Sequence, residues 1–310
     1  MKPTFYINAS ALKEAACDAK FLFTVLKGWE LKSFNTARME YGTAFHYFLA
    51  DYHIGKPTKE CIEKAVAHHK QFEGQLSEMD FRTAFHLSRS CIEYVRQYKD
   101  DSSLEVLLHP DSNEPIVESQ IAYPFYSCAD FDIILTGTVD MIAEHFGVKS
   151  IVDHKTTSAR QDSFFYSYDF EIQTKYYSWL LNLLYGEGYL PVVINGIFLK
   201  KATQKYWKNQ KTVAFDGVAF ERKSFEQIPE KMEEFDRWVR LKLDKLICLL
   251  GDTVAGDNDP LDPTNQERSF CNAHFGRCKF QSICDAWPAM RETVIDTEYI
   301  EKPYEPLTWH

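Results

Sequence analysis

The chain has 310 residues, 45% hydrophobic and 26% charged, with 13 Gly and 12 Pro, a globular composition that excludes a disordered, collagen-like or small disulfide-stapled chain. Against 35 Lys and Arg stand 45 Asp and Glu, a net charge of −10, so bulk charge cannot attract nucleic acid and any contact with a polyanion must be local. The opening MKPTFYINAS lacks the apolar core of an export signal and WLLNLLY from Trp179 falls far short of the ~20 residues that span a bilayer, so the expectation is a soluble cytoplasmic protein, without a membrane, whose cysteines are thiols or metal ligands.

Ser10 can cap a helix whose apolar positions Leu12, Ala16, Ala19, Phe23 and Leu26 recur at three- and four-residue steps up to Gly28, with Cys17 in its middle. A second such pattern, Tyr41, Phe45, Phe48 and Tyr52, carries His46 one position round from its apolar stripe, at the edge of a core and within reach of a cleft. Residues 57–98 are polar and helix-like, with Phe72, Phe81, Phe85, Cys91 and Tyr94 as buried candidates. The period changes after Pro110, where β-branched and aromatic residues alternate with polar ones over residues 116–126, 131–142 and 149–153, as consecutive strands do. A helix over about 169–184, a buried strand over 192–199 and a long helix beyond Ser224, kinked at Pro229, follow. GDTVAGDNDPLDPTN, from Gly251, reads as a linker. The expected class is α/β, or α+β, with a central mixed sheet flanked by helices. Residues 1–56 would be N-terminal helices, 57–110 an inserted helical lobe, 111–250 the core that holds the sheet, and 251–310 the linker and a cysteine-bearing segment.

GTVD, Gly137 to Asp140, closes one strand and IVDHKTT, Ile151 to Thr157, forms the next. Alternation along a strand puts Asp153 and Lys155 on one side and turns His154 away. A hairpin between the two strands would bring Asp140 beside Asp153. Carboxylates that close repel one another unless a cation lies between them, and hard oxygen donors select Mg²⁺ or Mn²⁺. Lys155 would then be placed to orient a water and to offset charge on a phosphoryl oxygen. Asp-x-Lys taken alone, as a three-residue match, reads better as a solvated strand edge. The apolar neighbours Ile151, Val152, Val139 and Met141 imply a buried sheet centre instead. Downstream, Gln173 and Tyr177 stand four apart on one helix face.

In this order, His46, Glu118, GTVD, IVDHKTT and Gln173 with Tyr177, the chain resembles the RecB-like branch of the PD-(D/E)xK nuclease superfamily, over about residues 8–285. The resemblance implies that His46, Asp140, Asp153 and the His154 backbone carbonyl hold Mg²⁺ or Mn²⁺, that Lys155 is the catalytic lysine, and that Gln173 and Tyr177 help to position DNA. Glu118 corresponds to the family's upstream acidic residue; in the generic strand VESQIAYPFY it is equally an exposed strand carboxylate. The implied activity is that of a metal-dependent deoxyribonuclease, an exonuclease on DNA ends or single strands, directed by a helicase or recombination partner in a bacterial or phage-infected cell. A structure-specific endonuclease, a catalytically idle DNA-binding or assembly subunit of the same fold, and a zinc-stabilised interaction module are the alternatives.

CNAHFGRCKFQSIC gathers Cys271, Cys278 and Cys284. Thiolate-rich sites take zinc or an iron–sulfur cluster, and a [4Fe–4S] cluster needs four thiolates. Spacing alone leaves two solutions: zinc on Cys271, His274, Cys278 and Cys284, or a cluster completed by a distant cysteine. The resemblance implies the cluster, because the iron–sulfur branch of this superfamily, which includes the exonuclease of CRISPR adaptation and phage relatives, takes one cysteine from near the N-terminus. Here that residue is Cys17. The gap between Cys271 and Cys278 is longer than is common in that branch. Cys61, Cys91, Cys128 and Cys248 read as core thiols.

LKKATQKYWKNQK, residues 199–211, locally reverses the acidic balance. Its Lys201, Lys205 and Lys208 around Tyr206 and Trp207 suit a single strand, with ammonium groups on phosphates and rings on bases. A solvated hairpin loop is the alternative.

Overall fold

The computed structural model describes residues 2–32, 36–77, 80–169, 171–200, 217–267, 269, 271 and 277–302. In chain order the elements are β1 (Thr4–Ile7), α1 (Ala9–Glu14), α2 (Asp18–Phe21), β2 (Trp29–Leu31), α3 (Ala37–His53), α4 (Thr58–Lys70), α5 (Ala84–Tyr98), β3 (Leu104–Val106), β4 (Val117–Ser127), β5 (Asp132–His145), β6 (Val148–Thr157), α6 (Gln161–Phe164), α7 (Ile172–Tyr185), β7 (Val192–Leu199), β8 (Val218–Phe225), α8 (Pro229–Ala255), α9 (Gln281–Asp285), α10 (Arg291–Glu298) and β9 (Tyr299–Glu301).

The N-terminal helix expected up to Gly28 is broken. Asn8 rather than Ser10 caps α1, accepting from the Ala11 amide at 2.9 Å. Cys17 takes an extended backbone between α1 and α2, with φ −130° and ψ 119°, so it stands at a joint and not within a helix. Leu22–Leu26 then continue as a π-helical turn to Gly28, whose φ of 61° ends it. Pro229 does not kink the long helix; it occupies the first position of α8, where its missing N–H costs no bond. That helix runs on to Ala255, so only the later part of the expected linker lies outside it. Phe85 is 66% exposed, although its spacing suggests burial.

Seven strands make one mixed sheet in the order β1-β5-β6-β7-β8, with β3 and β4 paired to the other edge of β5. Strand β1, at four residues too short to read in the sequence, runs parallel to the start of β5, Ile7 opposite Leu135. Strands β5 and β6 form the anticipated hairpin through Phe146 and Gly147, whose φ values of 50° and 78° give the left-handed two-residue turn such hairpins prefer. Strands β6 and β7 are parallel, joined by a crossover that contains α7, and β7 is buried at every position.

One face of the sheet packs on α1, α7 and α8 through Leu12, Trp179, Leu180, Val239 and Leu243. The other carries the lobe of α3, α4 and α5, whose Tyr41, Phe45, Phe48, Leu87 and Tyr94 close over Ile197, Leu199 and Phe220. A small antiparallel sheet, β2 with β9, ties the N-terminal region to the C-terminal one over a cluster of Phe23, Trp29, Phe280 and Tyr299. Among the described residues no helix is long and apolar enough to cross a membrane.

Candidate metal centre

The β5–β6 ladder stops at Met141 opposite Val152, whereas β6 goes on pairing with β7 as far as Thr157. The strands therefore splay at the next two residues, Asp140 and Asp153. There a side chain takes the place of the ladder: the His154 amide donates to Asp140 Oδ2 at 2.7 Å. Tyr176 of α7 holds the neighbouring edge, its hydroxyl 2.9 Å from the Ile7 carbonyl and 3.2 Å from that of Thr136.

Helix α3 brings His46 to this opening. Its Nε2–H donates to the His154 carbonyl at 2.9 Å, which leaves Nδ1 facing Asp140 Oδ2 at 3.5 Å and Glu118 Oε1 at 3.7 Å. One donor atom from each of His46, Glu118 and Asp140 lies within 4.8 Å of the others. Glu118 sits between Val117, paired with Met141, and Ser119, paired with Val139, and so falls opposite Asp140. Its φ of 48° is left-handed, a conformation that costs a residue with a Cβ ~1–2 kcal/mol.

The other wall comes from β6 and α7. Lys155 Nζ lies 2.9 Å from both Asp153 oxygens, donates to Oδ1, and leaves Oδ2 buried without a hydrogen bond. The same ammonium donates to Gln173 Oε1 at 3.3 Å, and Gln173 Nε2 donates to the Tyr177 hydroxyl at 3.0 Å. Lys155 is thus held from two sides, by Asp153 on its own strand and by Gln173 of α7, which Tyr177, four residues further along that helix, holds in turn.

Charge follows this geometry. Burial would push His46 down, but Asp140 and Glu118 beside it hold the imidazole up at about 10. Burial would raise Asp140; the charge of His46, followed by His154 and Lys155, instead keeps it well below the usual carboxylate range. Asp153 is raised, chiefly by burial, against the pull of Lys155. Lys155 would be lowered by burial, yet Asp153 and Asp140 keep it above its ordinary value and fully charged. Burial pushes the Tyr177 hydroxyl up to about 12.

An imidazole nitrogen and the carboxylates of Glu118, Asp140 and Asp153 are a hard donor set of the kind Mg²⁺ and Mn²⁺ accept. The residues present therefore fit a divalent cation. The His154 carbonyl, expected to be a ligand, accepts from His46 Nε2–H, which orients that ring, and keeps a second lone pair. The family resemblance pointed to Glu118, whereas the residues of VESQIAYPFY alone left it equally an exposed strand carboxylate, because the left-handed backbone that delivers it cannot be read from them.

At the chain ends the structure brings Cys17, Cys271, Cys278 and Cys284 into one neighbourhood. Burial, followed by the charges of Cys278, Cys17 and Cys271, pushes the Cys284 thiol up to about 12. Cys17 Sγ accepts from the Glu267 amide at 3.5 Å, and the Cys278 amide donates to the Cys271 carbonyl at 2.8 Å. His274, the histidine of the zinc alternative, lies outside the described residues, as do Lys201, Lys205, Tyr206, Trp207 and Lys208. Of the remaining thiols Cys61 and Cys91 are buried, Cys128 is half-buried, and Cys248 is exposed on α8, contrary to its core assignment. A cavity of about 680 Å³ between β1 and Trp29 has none of the metal-centre residues in its lining.

Residues 7–285 match the family model of the PD-(D/E)XK nuclease superfamily. A comparison with curated proteins finds no match. A solved structure described as the crystal structure of SSO0001 is similar over 92% of this chain and 88% of that one, at 12% identity; its TM-score of 0.30 is too low to carry an argument.

Proposed function

Since the chain belongs to the PD-(D/E)XK nuclease superfamily, we propose that the opening between β5 and β6 is its active site and that the protein is a Mg²⁺- or Mn²⁺-dependent deoxyribonuclease. The observation that carries this reading is the convergence of His46, Glu118 and Asp140, with donor atoms within 4.8 Å, on the spot where Asp153 and Lys155 close the opposite wall. A divalent ion held there by His46, Glu118, Asp140 and Asp153 would supply a Lewis acid and lower the pKa of a water.

The chain's own groups do the rest. Lys155 keeps its positive charge and is fixed by Asp153 and Gln173, so it can face the charge that builds on a phosphoryl oxygen without reorganising. Tyr177 fixes Gln173 in turn. Because Asp140, Asp153 and Lys155 are all present and placed together, an idle binding subunit is the weaker reading. The DNA substrate, the exonuclease mode on ends or single strands, and direction by a helicase or recombination partner follow the resemblance of the ordered residues from His46 to Tyr177.

The same reading gives Cys17, Cys271, Cys278 and Cys284 a [4Fe–4S] cluster. What supports it is their common neighbourhood, drawn from both ends of the chain, next to the β2–β9 sheet that already joins those ends. Incubation with end-labelled single- and double-stranded DNA and RNA, in Mg²⁺, Mn²⁺ or chelator, tests the activity and its substrate together. Metal-dependent shortening of DNA from an end is expected; cleavage of RNA alone would overturn the substrate.

A further inference from the structure

Behind the metal centre, on the opposite face of β6, lies a set of buried polar side chains that neither the ligand set nor the phosphodiester chemistry uses. We propose that Asn195, with Tyr94 and His53, are positioning residues of the metal centre, acting through the backbone of His154. The inference rests on the metal-site reading above and goes beyond it to residues outside that site.

Residue 154 is the joint. Its amide donates to Asp140 and its carbonyl accepts from His46, so the two peptide groups flanking one Cα hold two members of the donor set. The β5 ladder has already ended at Val152. Among the described residues, what holds the 154 backbone on that edge is the Asp140 carboxylate and the His46 imidazole, the two groups it aligns. Its other supports are β7, where Asn195 is the register partner of His154, and the His154 side chain.

That side chain is 3% exposed and clamped. Its Nδ1 lies 2.8 Å from Asn195 Nδ2; an amide N–H donates, so Nδ1 is the acceptor nitrogen of the ring. His53 of α3 stacks on it, with centroids 6.0 Å apart and planes 10° from parallel. Asn195 also donates to the Tyr94 hydroxyl at 3.4 Å, and that hydroxyl lies 3.2 Å from His53 Nε2. Asn195 and Tyr94 are both 0% exposed. The chain of contacts thus runs from helices α3 and α5, across β7, to the one residue whose backbone aligns the ligands.

Asn195 is a poor choice for stability alone. Strand β7 reads VVINGIFL, otherwise apolar and fully buried, and the Asn195 Oδ1 finds no hydrogen bond there. A buried carbonyl without a partner is destabilising, whereas an apolar residue of the same shape would avoid that penalty. What the amide does supply is a fixed orientation for His154, whose backbone bonds directly to His46 and Asp140; disturbing a group that is hydrogen-bonded to metal ligands typically changes metal affinity ~10–100-fold.

The test is Mn²⁺ binding by the full chain, followed by the electron paramagnetic resonance signal of free Mn²⁺, beside melting temperature in chelator. Asn195→Leu should weaken Mn²⁺ binding by ~10-fold or more and Tyr94→Phe by a smaller factor. Trp179→Phe is the control: it removes a 2.8 Å hydrogen bond to Asp236 between α7 and α8, and should lower the melting temperature without moving Mn²⁺ affinity. Asp140→Asn should abolish binding. Wild-type affinity in both Asn195→Leu and Tyr94→Phe, with binding lost in Asp140→Asn, would overturn the proposal and leave the metal site standing. Undiminished binding in Asp140→Asn would overturn the metal site itself. Equal weakening by Trp179→Phe would reduce the effect to general destabilisation and overturn the proposal. Should Asn195→Leu not fold, Tyr94→Phe decides alone, and wild-type affinity there is contradictory.

Discussion

A Cβ placed on Gly137 would lie 3.0 Å from Cε1 of Tyr177. The glycine that opens GTVD is therefore the space into which α7 sets its tyrosine, and the contact reaches Lys155 through the hydroxyl of Tyr177 and the amide of Gln173. Gly137→Ala should displace this chain while leaving every proposed metal ligand in place. A misplacement of order 1 Å costs up to ~10²-fold in rate, so kcat on DNA should fall ~10-fold or more with Mn²⁺ affinity close to wild type. Unchanged kcat would show that Tyr177 and Gln173 do not act through Lys155.

Glu118 offers a second, opposite signature. Its left-handed backbone is unfavourable for glutamate and tolerable for asparagine, so Glu118→Asn should keep or raise the melting temperature while weakening Mn²⁺ binding ~10-fold or more. Calorimetry beside a Mn²⁺ titration checks both arms. A fall in stability with Mn²⁺ affinity intact would make Glu118 a structural residue.

Proton linkage gives a third. The folded protein holds His46 at about 10, above its unfolded value of ~6.5. Without metal, that contributes stability fully present below ~6.5 and lost as pH rises through about 10. Metal binding reverses the preference, since the ligand nitrogen must be free of its proton. Mn²⁺ affinity should accordingly increase from pH 6 towards pH 9, while the melting temperature in chelator declines. His46→Gln should flatten both trends. A Mn²⁺ affinity indifferent to pH in the wild type would exclude His46 Nδ1 as a ligand.

Much of this site was legible in the sequence because the strands report themselves. The alternation over GTVD and IVDHKTT correctly put Asp153 and Lys155 on one side with His154 turned away, and the hairpin brought Asp140 next to Asp153. The helix with Gln173 and Tyr177 also lies where its spacing put it. What stayed hidden depends on non-local pairing or special backbone. Strand β1 has four residues and owes its place to β5; the break at Cys17 interrupts an apolar period that by itself reads as one continuous helix; and the left-handed φ of Glu118, a residue to which the family resemblance alone pointed, is one that strand propensity argues against.

The cysteines separate by metal content. Anaerobically purified protein should be brown and contain iron, and Cys17→Ser should bleach it and lower its melting temperature, because the proposed cluster would tie together residues distant in the chain. Colourless protein with one zinc, indifferent to Cys17→Ser and destabilised by His274→Ala, would transfer the segment to a zinc site.

The central claim is that Asp140 and Lys155 sit at a metal-dependent phosphodiesterase centre, and the most direct measurement is turnover of end-labelled DNA in Mn²⁺ by the wild type, Asp140→Asn and Lys155→Ala, with melting curves alongside. Chelator should abolish wild-type cleavage, and each substitution should lower turnover by ~10²-fold or more with folding nearly intact. Cleavage that survives chelation, or near-normal turnover in both variants, would contradict it.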